Sequence, residues 1–310
     1  MGKSTATMTG HLYFPTPTIE SFFLKKHFGR TVYLKMECFQ PAASFKIRGL
    51  GKLCQHYVAK GCKHIISSSA GNAGYAAAYA ARRLGVKCTV VVPASTREVF
   101  IKHILSEKAK VITHGDNWYE ANEYATTLAE KTQGKLVHPF DHPLIWEEHA
   151  TIIDECLVQC PKPGAILVSV GGGGLACGLL QGMHRHGWQD VPLFTTETEG
   201  AASLAASIKA GHRVSLKSYP TVATSLATKS ICPTMFNWTK KHAIIPIVMN
   251  DASALRACHL FARDHRVLVE PACGVTLAPI YENHPALKNV SSVLVIVCGG
   301  IGVDLIHPQH

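Results

Sequence analysis

Short β-rich runs alternate with segments of helical length along most of this chain. The predicted strands are Thr31–Met36, His64–Ser67, Lys87–Val92, Lys110–Thr113, Ala165–Val170, Pro192–Thr196, Ile244–Val248 and Ser291–Val297. The predicted helices lie near residues 46–59, 72–84, 97–108, 117–132, 144–160, 174–187, 200–210, 251–264 and 271–283. Because parallel strands need a crossover, usually a helix, the alternation predicts an α/β protein with mostly parallel sheets covered on both faces.

The predicted strands fall into two groups, which indicates two doubly wound domains. A chain of 310 residues with 47% hydrophobic side chains is long enough for two domains or one large α/β unit. We expect residues 40–143 to form a small domain and residues 1–39 plus 144–310 a large one, with a crossing near Pro139–Pro143. Ligands of such sheets bind at the carboxyl ends of the strands.

One of these strand ends carries four consecutive glycines, Gly171–Gly174, followed by small residues that suit a helix. Glycine allows a backbone to turn freely and to bring its N–H groups against an anion, so the run predicts a phosphate site. One alternative is a flexible turn. Another is a dinucleotide site, since Gly171, Gly173 and Ala176 fit the loose G-x-G-x-x-A pattern and Glu197 ends the next apolar run.

Three other strand ends carry reactive side chains. The loop Ser68–Gly74 opens an alanine-rich helix, and it predicts either a seat for a carboxylate or an ordinary helix cap. Lys46 begins a helical pattern; it is either a solvated surface residue or, in an apolar cleft, an unprotonated amine able to form a Schiff base. Cys298 follows the last strand and is either a structural thiol or a partner of a ligand ring.

Composition excludes several other classes of protein. The net charge of +10 is scattered in single residues and pairs, which argues against nucleic acid as a partner. Eleven cysteines without a leader sequence favour a reducing, cytoplasmic location, and they lack the paired spacing of a zinc site. No apolar stretch approaches the length of a membrane span.

Six segments together resemble the L-serine dehydratase/L-threonine deaminase group of the fold type II pyridoxal-phosphate enzymes, which include the tryptophan synthase β-subunit. The similarity extends from about residue 12 to residue 300. The segments that carry it are Ser44–Gly49, Ser68–Gly74, Phe140–Glu147, Ser169–Gly174, Val269–Gly274 and Val297–Gly300.

The resemblance implies a role for each matching residue toward the cofactor. Lys46 would bind pyridoxal 5′-phosphate covalently, and Phe45 would stack on its ring. The remaining cofactor-binding residues are Asn72 at the ring oxygen, Gly171, Gly172, Gly173 and Gly174 at the phosphate, and Cys298 at the pyridine nitrogen. A neutral thiol at that nitrogen makes the ring a weaker electron sink, which suits elimination better than transamination.

For the substrate, the resemblance implies β-elimination of L-serine to pyruvate and of L-threonine to 2-oxobutanoate, with release of ammonia. Lys46 and Ser69 would be catalytic, and the substrate carboxylate would lie on Ser69, Ala70, Gly71 and Asn72. A monovalent cation, K⁺ by expectation, would bind Glu197 and the main-chain carbonyls of Ala201 and Leu226. The resemblance also implies a homodimer.

Some positions depart from the pattern of that group. Ala42-Ala43 stand where Ser-Gly is usual, Ala227 replaces a common glycine, and Ile301-Gly302 replace polar residues near an early C-terminus. These departures motivate one alternative, a catalytically weak or regulatory homologue. A second alternative is a serine racemase-like activity. Ala70 argues against it, because racemases of this fold place a serine hydroxyl at that position.

Overall fold

A computed structural model describes residues 10–303 of the chain, and ten strands and eleven α-helices lie within them. The strands are β1 (Thr18–Glu20), β2 (Thr31–Lys35), β3 (His64–Ser67), β4 (Lys87–Val92), β5 (Lys110–Thr113), β6 (Lys135–Leu136), β7 (Ala165–Ser169), β8 (Leu193–Thr198), β9 (Ile244–Met249) and β10 (Ser292–Ile296). The helices are α1 (Phe22–Phe28), α2 (Lys46–Ala59), α3 (Asn72–Leu84), α4 (Glu98–Ser106), α5 (Trp118–Lys131), α6 (Pro143–Gln159), α7 (Gly174–Arg185), α8 (Ser203–Ala210), α9 (Pro233–Trp238), α10 (Asp251–His265) and α11 (Pro271–Tyr281).

All eight predicted strands and all nine predicted helices are confirmed, with small shifts at their ends. The sequence did not predict β1, α1, β6 and α9, which are between two and seven residues long. Elements this short do not complete enough periods for a hydrophobic pattern to identify them.

The chain divides into two compact units. The smaller unit comprises residues 10–14 and Lys46–Pro139, and the larger comprises Pro15–Phe45 and residues 140–303. The segment 10–14 belongs to the smaller unit because Leu12 packs against Gly51 of α2 and the Gln55 side-chain amide donates to the Gly10 carbonyl at 2.9 Å. The domain bounds expected from the sequence stay a prediction.

The smaller unit contains a parallel sheet with the strand order β5-β4-β3-β6. Neighbouring residues of β4 contact different helices: Val90 lies against Gly74 of α3, whereas Val91 packs with alanines of α5. Because successive side chains of a strand point to opposite faces, helices cover both faces of this sheet. The doubly wound arrangement is therefore confirmed here.

The larger unit contains a six-stranded sheet with the order β1-β2-β10-β7-β8-β9, in which only β1 pairs antiparallel. Every residue of β7 and β8 is buried, so β7 is almost entirely apolar, whereas the second half of β8 buries polar side chains that include Glu197. Strands β10, β7 and β8 are neighbours, so the loops that follow them leave the same edge of the sheet. Cys298, the glycine run and Glu197 all lie at this edge.

None of the helices within residues 10–303 is long and apolar enough to span a membrane.

Candidate active site

The loop before Lys46 is held to the end of β10 by backbone contacts. The Phe45 N–H donates to the Cys298 carbonyl at 3.0 Å, and Ser44 forms an antiparallel bridge with Gly299. The Phe45 ring meets His149 edge to face, with ring centroids 5.0 Å apart. The aromatic residue expected to stack on a cofactor ring is thus fixed beside Cys298.

Lys46 is the first residue of α2, as the sequence predicts. Its side chain is half-buried, and Nζ donates to the carbonyl of Pro139 at 2.6 Å within the smaller unit. A lysine that serves only solubility normally extends into solvent. The geometry therefore favours a positioned amine over the surface-lysine alternative.

The loop Ser68–Gly74, which is expected to bind a carboxylate, follows β3 in the same unit. Ser68 is buried and donates from Oγ to Asn122 Oδ1 at 2.7 Å, while the Ser69 N–H donates to Ser67 Oγ at 3.3 Å. Helix α3 begins at Asn72, and its N-cap is Gly71, which provides no side-chain cap. The ordinary-cap alternative is therefore not observed, and the start of α3 suits an external anion.

The four glycines form a tightly packed loop, not a flexible turn. Only Gly173 has a positive φ, +93°, whereas Gly172 and Gly174 are required because their neighbours are too close for a side chain. A Cβ on Gly172 would overlap the Phe140 ring, and one on Gly174 would lie 2.5 Å from the Phe140 carbonyl oxygen. Conformational freedom, the reason expected from the sequence, thus applies at one position out of four.

The loop is also supported by α9, an element that the sequence did not predict. A Cβ on Gly173 would lie 2.6 Å from Met235 Cβ, and the Cys232 N–H donates to the Gly172 carbonyl at 2.9 Å. Helix α7 starts directly after the loop, and its N-cap, Gly173, provides no side-chain cap. The packed side of the loop is filled by side chains, and its N–H-rich helix start suits a phosphate.

Cys298 lies at the carboxyl end of β10 with only 4% of its surface exposed. Its Sγ is 3.7 Å from the hydroxyl of Ser169, the last residue of β7, and 3.2 Å from Sγ of Cys273 on α11. Sequence reasoning did not identify Ser169 or Cys273 as neighbours of this thiol. Both residues belong to segments that carry the family resemblance, and this is the signal that could have identified them.

Glu197 is fully buried near the carboxyl end of β8 and is therefore not a solvated surface carboxylate. Its two carboxylate oxygens accept from the N–H groups of Leu204 and Ala205, at 2.8 Å each, in the first turn of α8. Burial raises the pKa of Glu197 from 4.5 to about 7, although the two hydrogen bonds oppose the shift. The buried Glu197 carboxylate therefore accepts hydrogen bonds from the N-terminal N–H groups of α8.

The two other expected cation ligands lie in short 3₁₀ turns of the larger unit. Ala201 is fully buried at the end of the turn that follows β8, and Leu226 is buried at the end of the turn Thr224–Leu226. A Cβ on Gly171 would lie 3.1 Å from Leu226 Cα, so this turn packs directly on the glycine loop. Within residues 10–303, no cluster of three His, Cys, Asp or Glu side chains forms a metal site.

The structure therefore brings together Phe45, the glycine loop and Cys298 within the larger unit. Lys46 and the segment Ser69–Asn72 lie in the smaller unit, at the start of α2 and of α3.

These features define an α/β enzyme of the kind that holds a phosphorylated ring cofactor. The family of pyridoxal-phosphate dependent enzymes matches residues 10–299, and the chain belongs to this family. The dinucleotide alternative is thereby wrong, and the cofactor is pyridoxal phosphate.

Individual relatives agree with this assignment. The L-serine dehydratase/L-threonine deaminase of Bos taurus is 44% identical, over 95% of this chain and 93% of its own length. A solved L-serine ammonia-lyase of the fungus Rhizomucor miehei is 35% identical and superposes with a TM-score of 0.90 over 96% of both chains. A solved serine racemase from maize is 25% identical, with a TM-score of 0.88 over 94% of this chain and 90% of its own. The fold type II architecture is confirmed.

Proposed function

We propose that this chain catalyses the pyridoxal-phosphate-dependent β-elimination of L-serine to pyruvate and ammonia, and of L-threonine to 2-oxobutanoate and ammonia. The observation that carries the proposal is the hydrogen bond from the Phe45 N–H to the Cys298 carbonyl. This bond places the residue before Lys46 beside the thiol that is expected at the pyridine nitrogen. The names of the bovine and fungal relatives support the same reaction.

The glycine loop fits the cofactor phosphate. Phe140, Met235 and Leu226 fill the space on the side where glycine Cβ atoms would stand, so bare backbone and the uncapped start of α7 remain to bind an anion. When bound, pyridoxal phosphate withdraws electrons from the α-carbon of an amino acid joined to it.

Lys46 has two tasks in this proposal. Its Nζ holds the cofactor between turnovers and, once released, removes the proton from the substrate α-carbon. The loop Ser69–Asn72 binds the substrate carboxylate at the start of α3, which orients the α-hydrogen for that transfer. Cys298 would present a neutral thiol to the pyridine nitrogen. Because a thiol does not keep that nitrogen protonated as a carboxylate would, the ring would be a weaker electron sink, which suits elimination of the β-hydroxyl better than transamination.

Racemisation is the closest alternative reaction. Ala70 has no hydroxyl with which to return a proton to the opposite face of the α-carbon, so we expect elimination to dominate. Chiral separation of the products of L-serine tests this point: formation of D-serine at a rate equal to that of pyruvate would contradict it.

The decisive experiment is borohydride reduction of the cofactor-loaded protein, followed by mass mapping and an ammonia assay with L-serine. We expect the cofactor on Lys46, and Lys46→Ala should lose at least about 1,000-fold in kcat because it removes the acid–base group. The exposed lysine after the same helix, Lys60, is the matched control, and Lys60→Ala should retain activity. Slow turnover that Lys46→Ala leaves unchanged would instead favour the catalytically weak or regulatory homologue.

We also propose that K⁺ binds Glu197 together with the carbonyls of Ala201 and Leu226. The Glu197 carboxylate is buried, and a bound cation would offset the cost of burying its negative charge. KCl should therefore raise the melting temperature more than choline chloride of equal ionic strength. Glu197→Gln should abolish the difference, whereas the exposed neighbour Glu199→Gln should retain it. Equal responses to both salts would reject the site.

The homodimer and the cytoplasmic location are further parts of the proposal. Analytical ultracentrifugation at several protein concentrations tests the first, and imaging of the tagged protein in cells tests the second.

A further inference from the structure

Two thiols of the larger unit lie against each other at the end of β10, where the pyridine nitrogen of the cofactor is expected. The Sγ atoms of Cys273 and Cys298 are 3.2 Å apart, and both residues are free cysteines. Cys273 is fully buried on α11, whereas Cys298 has 4% of its surface exposed. Cys298 is therefore the member of the pair that a small reagent reaches first.

The geometry around the pair is suited to joining the two sulfurs. A disulfide needs a sulfur–sulfur distance of about 2.05 Å, so the sulfurs must approach by about 1.2 Å, a movement that side-chain rotation can supply. The Gly299 N–H donates to Cys273 Sγ at 3.1 Å and stabilises negative charge on that sulfur. Once Cys298 has reacted with a reagent disulfide, Cys273 can attack the Cys298 sulfur within the same molecule. This proximity offsets the low thiolate fraction of a buried thiol.

We propose that Cys273 and Cys298 form a dithiol site for low-molecular-weight disulfides, and that its oxidation to an intramolecular disulfide competes with binding of pyridoxal phosphate. The second half of this proposal rests on the proposed function, in which Cys298 faces the pyridine nitrogen. The bond to Cys273 would pull the Cys298 sulfur toward α11 and remove the thiol that contacts the ring.

The reaction proceeds by two exchanges that balance. The Cys298 thiolate attacks one sulfur of the reagent, which forms a mixed disulfide and releases one reagent thiol. Cys273 then attacks the Cys298 sulfur, which forms the protein disulfide and releases the second reagent thiol. The two protein thiols lose two protons and two electrons, and the reagent disulfide gains them as it becomes two thiols.

Other thiols of the larger unit are poorer candidates. Burial raises the pKa of Cys38 and of Cys258 to about 12, and within residues 10–303 neither sulfur lies within hydrogen-bond distance of another thiol. Burial also raises the pKa of Cys273. The attack of Cys273 on the mixed disulfide at Cys298 therefore requires the short distance between the two sulfurs. The pair Cys177 and Cys232 is farther apart, with 3.9 Å between the sulfurs, and serves as an internal control.

The experiment uses the full chain with 2,2′-dithiodipyridine as the probe, before and after loading with pyridoxal phosphate. We expect mapping by mass spectrometry to find a Cys273–Cys298 crosslink in the cofactor-free protein and at least about tenfold less of it after loading. The crosslinked protein should bind pyridoxal phosphate at least about tenfold more weakly by absorbance titration, and dithiothreitol should restore binding.

Two variants control for specificity. Cys232→Ser should still form the Cys273–Cys298 crosslink, whereas Cys273→Ser should stop at the mixed disulfide on Cys298; Cys273→Ala serves if the serine variant does not fold. A persistent mixed disulfide in the native chain, or a crosslink found only at Cys177–Cys232, would overturn the proposal. So would a Cys273–Cys298 crosslink that leaves cofactor affinity unchanged. Ammonia release from L-serine by the reduced protein tests the proposed function separately, since the mapping requires no turnover.

Discussion

Single residues in this protein occupy conformations that their side chains do not favour. Ala43 has φ of +55°, in the left-handed region, which residues with a Cβ rarely adopt. The neighbouring Gly299 has φ of +80°, and a Cβ there would overlap the Ala43 carbonyl oxygen. The corner that supports Phe45 and Lys46 is therefore strained at one residue.

Replacement of Ala43 by glycine should relieve this strain. We expect Ala43→Gly to raise the free energy of unfolding by up to about 1 kcal/mol, because the gain in the folded state exceeds the added entropy of the unfolded chain. Urea unfolding measures the change. Ala42, fully buried and without a positive φ, is the control, and Ala42→Gly should lower stability. A destabilised Ala43→Gly protein would show that the corner is not strained.

Glu197 should give the protein a measurable pH dependence. Its pKa is about 7 in the folded protein and 4.5 ordinarily, so the folded state binds the proton more tightly. The stabilisation is present at low pH and is lost as the pH rises through 7, by about 2–3 kcal/mol between pH 5 and 8.

Urea unfolding in K⁺-free buffer at several pH values checks this prediction. Relative to Glu197→Gln, the native chain should lose stability as the pH rises, and the exposed Glu199→Gln should follow the native chain. Parallel curves for the native chain and Glu197→Gln would contradict the raised pKa.

Among the elements, those that build the glycine loop show what the sequence can and cannot reveal. Strand β7 and helix α7 were predicted from their patterns, and so was the loop between them. Helix α9, which packs Met235 against Gly173, has only six residues. A helix this short shows no repeating pattern of hydrophobic residues in the sequence. A pattern identifies long elements, whereas contacts between distant segments depend on tertiary packing.

A side chain at Gly172 should disturb this packing. We expect Gly172→Ala to lower the free energy of unfolding by about 2 kcal/mol, because the added methyl overlaps the Phe140 ring. Cofactor affinity, measured by absorbance titration, should fall as well. Phe140→Val in the same protein should recover part of the lost stability, and no recovery would mean that another contact is responsible.

On the scale of the whole molecule, the fold class, the strand sequence and the chemical nature of the site were predictable. The sequence pattern does not reveal that residues 10–14 pack in the unit of Lys46–Pro139. No periodic pattern marks so short a segment, and its position depends on Leu12 filling the space left by Gly51. Burial of Glu197 was likewise unpredictable, since its partners are backbone groups seven and eight residues away.

Leu12 should therefore contribute strongly to stability. It is 4% exposed, and Leu12→Ala should cost about 2–3 kcal/mol through lost burial and the cavity left at Gly51. Phe14 is 43% exposed, and Phe14→Ala should cost less. Equal losses in urea unfolding would show that the segment contributes no specific packing.

The pairing of β10 with β7 also makes the site depend on the order of the strands. Adjacent strands lie about 4.8 Å apart, so the thiol that follows β10 and the glycine loop that follows β7 come within reach of one small molecule. Residues far apart in the chain can therefore act on the same ligand only while these two strands remain paired.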